Sequence, residues 1–339
     1  MAESLKIIIP MAGLGTRLRP HTWSKPKPLV QVAGKTVLAH LMESFNTLPD
    51  PTNIELVFII GYLGDQVRNY MAEYYPKVKA HYVVQPKLQG QSQALHLAKR
   101  FLHGPIMVVF ADTLADTDFS MVGKEDLDGY AWVKSVPDPR RFGVAEVNNK
   151  GFITKLIEKP TEMDNNRVVI GLYYYRQGEM LLKAIETQLK TGKTFKGEYF
   201  LTDATTIMLN DGARMKTIEV DTWLDAGTSE AILQTNSHLL NRLSKKESLP
   251  AFGNDVKIVP PVTIHPSAKL TRCKIGPHVS IAKNCIIEDS TIDSSIIDED
   301  CQVRNSKLSK SLIGRKVIID GVNGAVDLGD NSVVKCKIP

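Results

Sequence analysis

The chain has 339 residues, enough for two domains, and its 42 Lys and Arg outnumber its 37 Asp and Glu by a net +5. That mild excess contains no dense Lys/Arg tract, which argues against a nucleic-acid partner and leaves a polyanionic small substrate as the ligand a local basic loop would serve. No apolar run reaches membrane-spanning length, and the first residues lack the charged start and apolar core of a secretion signal, so no membrane partner and a cytoplasmic location are expected.

The apolar run 5–9 reads as a buried parallel strand. It feeds the stretch PMAGLGTRLRPHTWSKPKP at 10–28. Gly13 and Gly15 let backbone pass close to a ligand because no Cβ stands in the way. Arg17 suits forked phosphate contacts and Lys27 acts as a point charge. Pro20, Pro26 and Pro28 are expected to prevent a helix and hold the segment extended. Strand, glycine turn and basic loop together point to a nucleoside triphosphate site, although Gly13-Leu14-Gly15 alone is equally well read as a plain turn. A dinucleotide fingerprint would need glycine at Leu18 and a helix straight after it. A P-loop would need glycine at Leu29 or Thr187, five residues before the Gly-Lys-Thr triplets that begin at Gly34 and Gly192.

Helix 36–45 follows, with Thr36 as N-cap, then strand 55–60, helix 64–75, strand 81–85, helix 91–102 and strand 106–110. This alternation implies a mostly parallel sheet covered on both faces, with ligands at the carboxyl ends of its strands. Two features fall at such ends. Gln85 offers an amide donor and acceptor suited to a base edge, with Gly90 allowing close approach; a surface turn is the alternative. Asp112 could hold Mg²⁺, a hard cation usually shared between carboxylates and substrate phosphates, or could cap a helix.

Beyond residue 129 the pattern turns strand-rich, at 130–136, 142–147, 152–157 and 168–175, as an antiparallel insertion or extension of the sheet. Glu158 and Lys159 end one strand, with an exposed ion pair as the plain reading, and Gly171 interrupts another where backbone often approaches closely. Helices at 179–190 and 198–209, a strand at 215–220, Asp225 in the sequence WLDAG and a helix at 228–244 complete this part. Residues 244–255 read as a linker.

From there the apolar period is about six: Ile258, Ile264, Leu270, Ile275, Ile281, Ile287, Ile292, Ile297, Val303, Leu308 and Ile313. Small or β-branched residues follow four positions later at Val262, Ala268, Val279, Cys285, Thr291, Cys301 and Val317. This is the hexapeptide pattern of a parallel β-helix, with roughly three or four coils of about 18 residues. Lys274, Lys283, Glu288 and Asp298 read as outward surface residues, and the segment 321–339 as a cap. All four cysteines lie in the last quarter without CxxC spacing, and three of them read as core or near-core residues.

Over 5–245 the chain resembles the sugar-1-phosphate nucleotidyltransferases, or nucleotide-sugar pyrophosphorylases. The resemblance rests on GxGTRLxPxTxxxPKP, QPxxxGxxQAL, Asp112, FGVAEV, EKP, VIGLYYY, GEYFLTDA and WLDAG in family order. The tail, especially QVRNSKLSKSLIG, resembles the short left-handed β-helix of long-form glucose-1-phosphate thymidylyltransferases. The implied fold is α/β, a Rossmann-like mixed, mostly parallel sheet flanked by helices, followed by a short left-handed parallel β-helix. The implied domains are 1–245 and 246–339.

The resemblance implies that Ala12, Gly13, Gly15, Thr16, Arg17 and Lys27 hold the triphosphate while Gln85 and Gly90 read the base. Asp112 and Asp225 would bind Mg²⁺, and Arg17, Lys27, Asp112 and Asp225 would be catalytic. Gly143, Glu158, Lys159, Gly171 and Tyr173 would hold the sugar phosphate; Glu198 falls in a family block without an assigned contact. A sugar-1-phosphate oxygen would then attack the α-phosphorus of the triphosphate in line, and pyrophosphate would leave. The implied substrates are dTTP or UTP with glucose-1-phosphate, in a homo-oligomer. Thymidylyltransferases of this family often carry Gln after the loop lysine, whereas this chain has Pro28, as guanylyl- and some uridylyl-transferring relatives do, so GTP with mannose-1-phosphate is the alternative. A non-catalytic nucleotide-sugar sensor would tend to lose Arg17, Lys27, Asp112 or Asp225, all present here. An acyltransferase role for the β-helix would have to rest on His265 or His278. The expectation is instead that 250–339 assembles or stabilises the enzyme and that a chain cut near Ser248 keeps measurable transfer.

Overall fold

Ile7, Ile8 and Ile9 expose no surface, which places their strand in the interior of a sheet. The structure, a computed structural model, describes residues 3–243 and 252–336. Contacts divide the chain into two compact units, Met1–Gly13 with Leu41–Trp223, and Leu14–His40 with Leu224–Pro339. Most of the expected linker, and the position 248, lie outside the described residues.

The first unit is built on nine strands: β1 (Leu5–Pro10), β2 (Ile54–Ile60), β3 (Ala80–Val84), β4 (Ile106–Val109), β5 (Gly129–Ser135), β6 (Gly143–Val147), β7 (Ile153–Glu158), β8 (Arg167–Tyr175) and β9 (Met215–Glu219). Their order is β7-β6-β8-β4-β1-β2-β3, with β5 also paired to β8 and β9 to β5. β4, β1, β2 and β3 are mutually parallel, so the segments following β1, β3 and β4 leave the same edge of the sheet. β8 runs antiparallel to β4, β5 and β6, and β7 antiparallel to β6. The strand-rich stretch beyond residue 129 is therefore an extension of the main sheet.

Helices are α1 (Val37–Ser44), which crosses from one unit's sequence into the other's, then α2 (Gly64–Tyr74), α3 (Gln91–Leu97), α4 (Gly178–Thr191) and α5 (Leu201–Asn210). Ile8, Val57, Ile59, Ile106 and Val108 share one core cluster with Leu95 of α3, Leu181 and Ile185 of α4, and Leu201 and Met208 of α5. Ile7, Ile9, Leu56 and Phe58, alternating with them, are buried too, so both faces of the sheet are covered. Thr36 caps α1 as expected, its hydroxyl accepting from the Ala39 N–H at 3.0 Å. α5 begins later than the sequence suggests, because Phe195 and Glu198 exchange backbone hydrogen bonds of 3.1 Å and close a turn there.

The second unit joins the loop 14–40 to α6 (Ser229–Leu243) and a C-terminal parallel β-helix. Three faces of five strands each, all parallel, give five coils rather than three or four. The difference lies in the number of residues per coil: Cα partners are 17 residues apart at Val256 and Cys273, 16 apart at Thr291 and Lys307, and 15 apart at Ile318 and Val333, below the 18 assumed. The segment read as a cap supplies the fifth coil, in strands Asn323–Gly324, Asp327–Leu328 and Val333–Lys335. Ile275, Ile281, Ile287, Ile292, Ile297, Val303, Leu308 and Ile313 form its core with Cys273, Cys285 and Cys301. Ile258, Ala268 and Leu270 are half-buried against that core, whereas Thr291 is half-buried outside it, beside inward Ile292. Corners fall on residues in the left-handed region, among them Asn284, Asp289, Asp300, Asn305 and Asn331, the residue types that tolerate it best.

The loop departs from the extended conformation expected of its prolines. It folds into three single 3₁₀ turns, Thr16–Leu18, His21–Trp23 and Lys27–Leu29. Proline's fixed φ suits the start of such turns as well as it suits extended chain. A short hairpin, Gln31–Val32 with Lys35–Thr36, follows.

Candidate active site

The candidate residues divide between the units. Ala12, Gly13, Gln85, Gly90, Asp112, Gly143, Glu158, Lys159, Gly171 and Tyr173 belong to the first; Gly15, Thr16, Arg17, Lys27 and Asp225 to the second.

In the first unit, Ala12 and Gly13 follow β1, Gln85 follows β3 and Asp112 follows β4, all at the carboxyl edge of the parallel strands. Gly13 is exposed, and a Cβ built on it would meet nothing within 4 Å. Gln85 is buried, its backbone N–H donates to Ile60, and its side-chain amide donates to Gln93 Oε1 at 3.1 Å. Gln93 therefore fixes the orientation of the amide proposed to face a base. Gly90 has φ +96°, and a Cβ there would lie 2.4 Å from the Tyr199 carbonyl oxygen, so the protein's own backbone requires this glycine. Asp112 sits in the turn after β4, held on either side: the Phe110 N–H donates to the Gly171 carbonyl at 2.9 Å, and the Thr113 hydroxyl donates to the Ile170 carbonyl at 2.6 Å.

A second group forms where β6, β7 and α5 meet. Gly143 is the register partner of Glu158, and a Cβ on it would strike Thr202 Cγ2 at 2.7 Å and Glu158 Oε2 at 3.1 Å. With that space free, the Thr202 hydroxyl donates to Glu158 Oε2 at 3.1 Å. Burial raises the Glu158 pKa above the usual carboxylate value; the Thr202 hydrogen bond and the Lys159 charge pull it back, while Asp203 and Glu198 push the same way as burial. Lys159 takes φ +47°, costly for a non-glycine residue, and its ammonium lies 4.4 Å from the centre of the Phe200 ring. Residues held in such sparsely populated backbone regions cluster at active sites and ligand clamps. Gly171 and Tyr173 are placed differently. The Phe110 ring fills the space beside Gly171, and Tyr173 is 1% exposed, stacked on Tyr175 at 6.2 Å, so internal packing accounts for both. Glu198 is exposed in the turn before α5.

In the second unit, Gly15 is left-handed, at φ +61°, and its carbonyl accepts from the Thr22 hydroxyl at 2.8 Å. The fully buried Leu18 anchors the first turn, with Thr16 and Arg17 exposed before it and Lys27 half-buried farther on. Asp225 ends the short strand Trp223–Asp225; its carbonyl accepts from the hydroxyl of Thr235, a buried residue of α6, at 3.1 Å. A Cβ on Gly227 would stand 2.8 and 2.9 Å from the two Asp225 carboxylate oxygens and 3.1 Å from Arg17 Nη2. The absent side chain at Gly227 thus brings one anion and one cation over the same bare backbone. Sequence reading located WLDAG and GEYFLTDA but gave no role to Gly227, Thr202 or Phe200, and it missed Gln93 and Thr235.

Among the described residues no group of three or more His, Cys, Asp or Glu gathers as a metal site. Mg²⁺ needs no such group, since one or two carboxylates with substrate phosphates suffice. The hard oxygen donors of Asp112, at a strand end, and of Asp225, over the cradle at Gly227, fit that cation by chemistry. No described helix is long and apolar enough to cross a membrane.

Residues 6–242 match the family model described as nucleotidyl transferase. The low-salt glycan biosynthesis nucleotidyltransferase Agl11 of Haloferax volcanii is 28% identical, across 97% of this chain and 98% of that one. A glucose-1-phosphate thymidylyltransferase of Streptomyces griseus is 25% identical across 92% and 93%. Among solved structures, a Bacillus anthracis protein described as a glucose-1-phosphate thymidylyltransferase, crystallised with sucrose, superposes with a TM-score of 0.60 at 26% identity, over 73% of this chain and 98% of its own.

Proposed function

This chain belongs to the nucleotidyl transferase family and is an enzyme of it, and from that premise we propose that it transfers the nucleotidyl group of dTTP or UTP to glucose-1-phosphate, releasing pyrophosphate. The observation that carries the reading is the cradle at Gly227, where the Asp225 carboxylate and the Arg17 guanidinium both lie within 3.1 Å of the point a Cβ on this residue would occupy. Of the two relatives similar over nearly their whole lengths, Agl11 supports nucleotidyl transfer and the thymidylyltransferase supports the substrate class.

In this reading a sugar-phosphate oxygen forms a bond to the α-phosphorus while the bond to the β-phosphate oxygen breaks, and pyrophosphate departs with the electron pair. The attacking phosphate monoester is already ionised near neutral pH, so no side chain need become a nucleophile. The obstacle is repulsion between two anions, and the protein's task is to neutralise and align them. Ala12, Gly13, Gly15, Thr16, Arg17 and Lys27 hold the triphosphate. Gln85, oriented by Gln93, reads the base beside Gly90. Glu158 accepts from sugar hydroxyls, and Lys159, beside Gly143, meets the sugar phosphate. Gly171 and Tyr173 form packed wall behind that group. Asp112 and Asp225 each serve as a ligand for Mg²⁺, which supplies positive charge against the phosphates.

A panel of dTTP, UTP, GTP and ATP against glucose-1-phosphate and mannose-1-phosphate, read by pyrophosphate release, tests the proposal. Fastest turnover with dTTP or UTP and glucose-1-phosphate is expected. Faster turnover with GTP and mannose-1-phosphate would overturn the substrate pair and make Pro28 the better guide.

A further inference from the structure

The loop 15–30 carries Arg17 and Lys27, yet much of what holds it lies in the last coils of the β-helix. Lys25 is buried and ion-paired with Asp298, itself 5% exposed although its sequence position reads as outward surface. Lys25 Nζ also lies 3.7 Å from Asp330 Oδ1. Ser24 donates to Asp330 Oδ2 at 2.7 Å, and Asp330 is held in turn by the Arg315 guanidinium at 2.8 Å. His21 Nε2 meets Asp327 Oδ1 at 2.5 Å. Pro20 packs on Gly329, where a Cβ would come within 2.8 Å of its ring. Farther along, Asn236 of α6, fully buried, accepts from the Ala33 N–H at 2.9 Å and from the Ser280 hydroxyl at 2.6 Å, and donates to the His278 carbonyl at 3.2 Å.

We propose that the β-helix is part of the nucleotide-binding machinery, with Asp298, Asp327 and Asp330 as positioning residues that fix the triphosphate loop through Lys25, Ser24 and His21. This rests on the reading of Arg17 and Lys27 as triphosphate ligands. Three single 3₁₀ turns have little stability of their own, since each closes only one or two backbone hydrogen bonds. Long-range pairs must therefore supply the loop's shape. Lys25 is two residues from Lys27, and a buried ammonium is left with few alternative positions once Asp298 and Asp330 flank it. Loosening that pair moves the loop cations while leaving the first unit's sheet and the sugar-phosphate group unaltered. A displacement near 1 Å at a positioned charge can cost about a hundredfold in rate. The expectation that residues 250–339 serve only assembly and stability is replaced by this one.

The test uses the full chain with Lys25→Met. Hydrogen–deuterium exchange over residues 16–30 requires no substrate and should rise, while exchange in β1, β2 and β4 should not. In steady-state assays KM for the triphosphate should rise about tenfold, with KM for the sugar phosphate changing less than about twofold. Lys25→Arg, which keeps the charge, should recover most of the triphosphate KM. If Lys25→Met does not fold, Asp327→Asn at the half-exposed His21 contact should show the same two changes at smaller amplitude. Unchanged exchange over 16–30 would overturn the brace, whatever the enzyme's substrates. Raised exchange with an unchanged triphosphate KM would overturn its role in binding. Absence of turnover in the unaltered enzyme with every triphosphate is a failure of the functional reading, and exchange would still decide the brace.

Discussion

Lys25 and Asp298, 273 positions apart, form a buried ion pair with side chains only 5% and 7% exposed. Removing one member of such a pair strands the other charge out of water, at a typical cost of about 3–5 kcal/mol. Asp330 remains near Lys25, so Asp298→Leu is expected at the lower end, about 3 kcal/mol. The Lys25→Met/Asp298→Leu double variant should be less destabilised than either single, because no unpaired charge remains. Denaturant unfolding of the four proteins gives the cycle; additive losses would show that the two charges are not coupled.

The raised pKa of Glu158 fixes the sign of a pH effect. Burial favours its neutral form, so the folded chain binds this proton more tightly than the unfolded chain, whose value is 4.5. Its contribution to stability therefore falls as pH rises from 4.5 through the folded pKa and is constant above it. Sugar binding has the opposite need, since only the ionised carboxylate is a full acceptor. KM for glucose-1-phosphate should drop as pH rises through that pKa. Glu158→Gln should raise KM about 10- to 100-fold, a charged hydrogen bond being worth about 1.5–3 kcal/mol, and should leave only the substrate's own phosphate ionisation in the profile. Thr202→Val, which removes a hydrogen bond that lowers the pKa, should move the limb to higher pH. A variant-to-parent KM ratio independent of pH would exclude Glu158 as the titrating group.

The elements readable from sequence are those that local patterning dictates. Ile7 to Ile9, the helix cap at Thr36 and the six-residue period from Ile264 to Ile313 each record burial at their own positions, and burial is what hydrophobicity encodes. Coil number escaped because the coils shorten along the solenoid, from 17 residues to 16 and then 15. The loop conformation escaped because its determinants, Asp298, Asp327 and Asp330, are about 300 residues away, and each is an ordinary surface residue type. Asp298 shows how an apolar period can place a residue on the outside of a solenoid without revealing what covers that outside. Gly227 and Gly143 mattered through the side chains their hydrogens make room for, which spacing alone does not disclose.

Metal dependence follows from the proposed roles of the two aspartates. Chelation by EDTA should abolish pyrophosphate release, and added Mg²⁺ should restore it. Asp112→Asn and Asp225→Asn should each reduce turnover by about 100-fold or more, because charge stabilisation by a metal is worth several kcal/mol. Both variants should unfold at the parent's midpoint within about 1 kcal/mol, as amide replaces carboxylate without a change of shape. Near-normal turnover in either variant at saturating Mg²⁺ would remove that residue from the metal site.

Gly13 and Gly90 look alike in sequence, each a glycine in a loop after a parallel strand, but they should respond differently to alanine. A Cβ on Gly90 would be forced to within 2.4 and 2.5 Å of Tyr199 backbone atoms, at a φ of +96° that alanine resists. The contacts at stake include the Tyr199 N–H to Gln89 carbonyl bond at 2.9 Å and the Ser92 N–H to Tyr199 carbonyl bond at 3.0 Å, which tie the base-facing loop to the segment before α5. Gly90→Ala should therefore cost more than about 1 kcal/mol of stability before any effect on binding is considered. Gly13 has no such neighbour and no left-handed φ, so Gly13→Ala should leave the unfolding midpoint within about 0.5 kcal/mol of the parent. Its methyl group would stand where the proposed triphosphate approaches the chain. KM for dTTP should then rise about tenfold at unchanged KM for glucose-1-phosphate, the pattern of a lost ground-state contact. The two variants together separate a glycine required by the protein from one required by its ligand. Parent-like dTTP kinetics in a stable Gly13→Ala enzyme would mean that the triphosphate does not pass over this residue, and the loop assignment would have to move toward Gly15 and Arg17 alone.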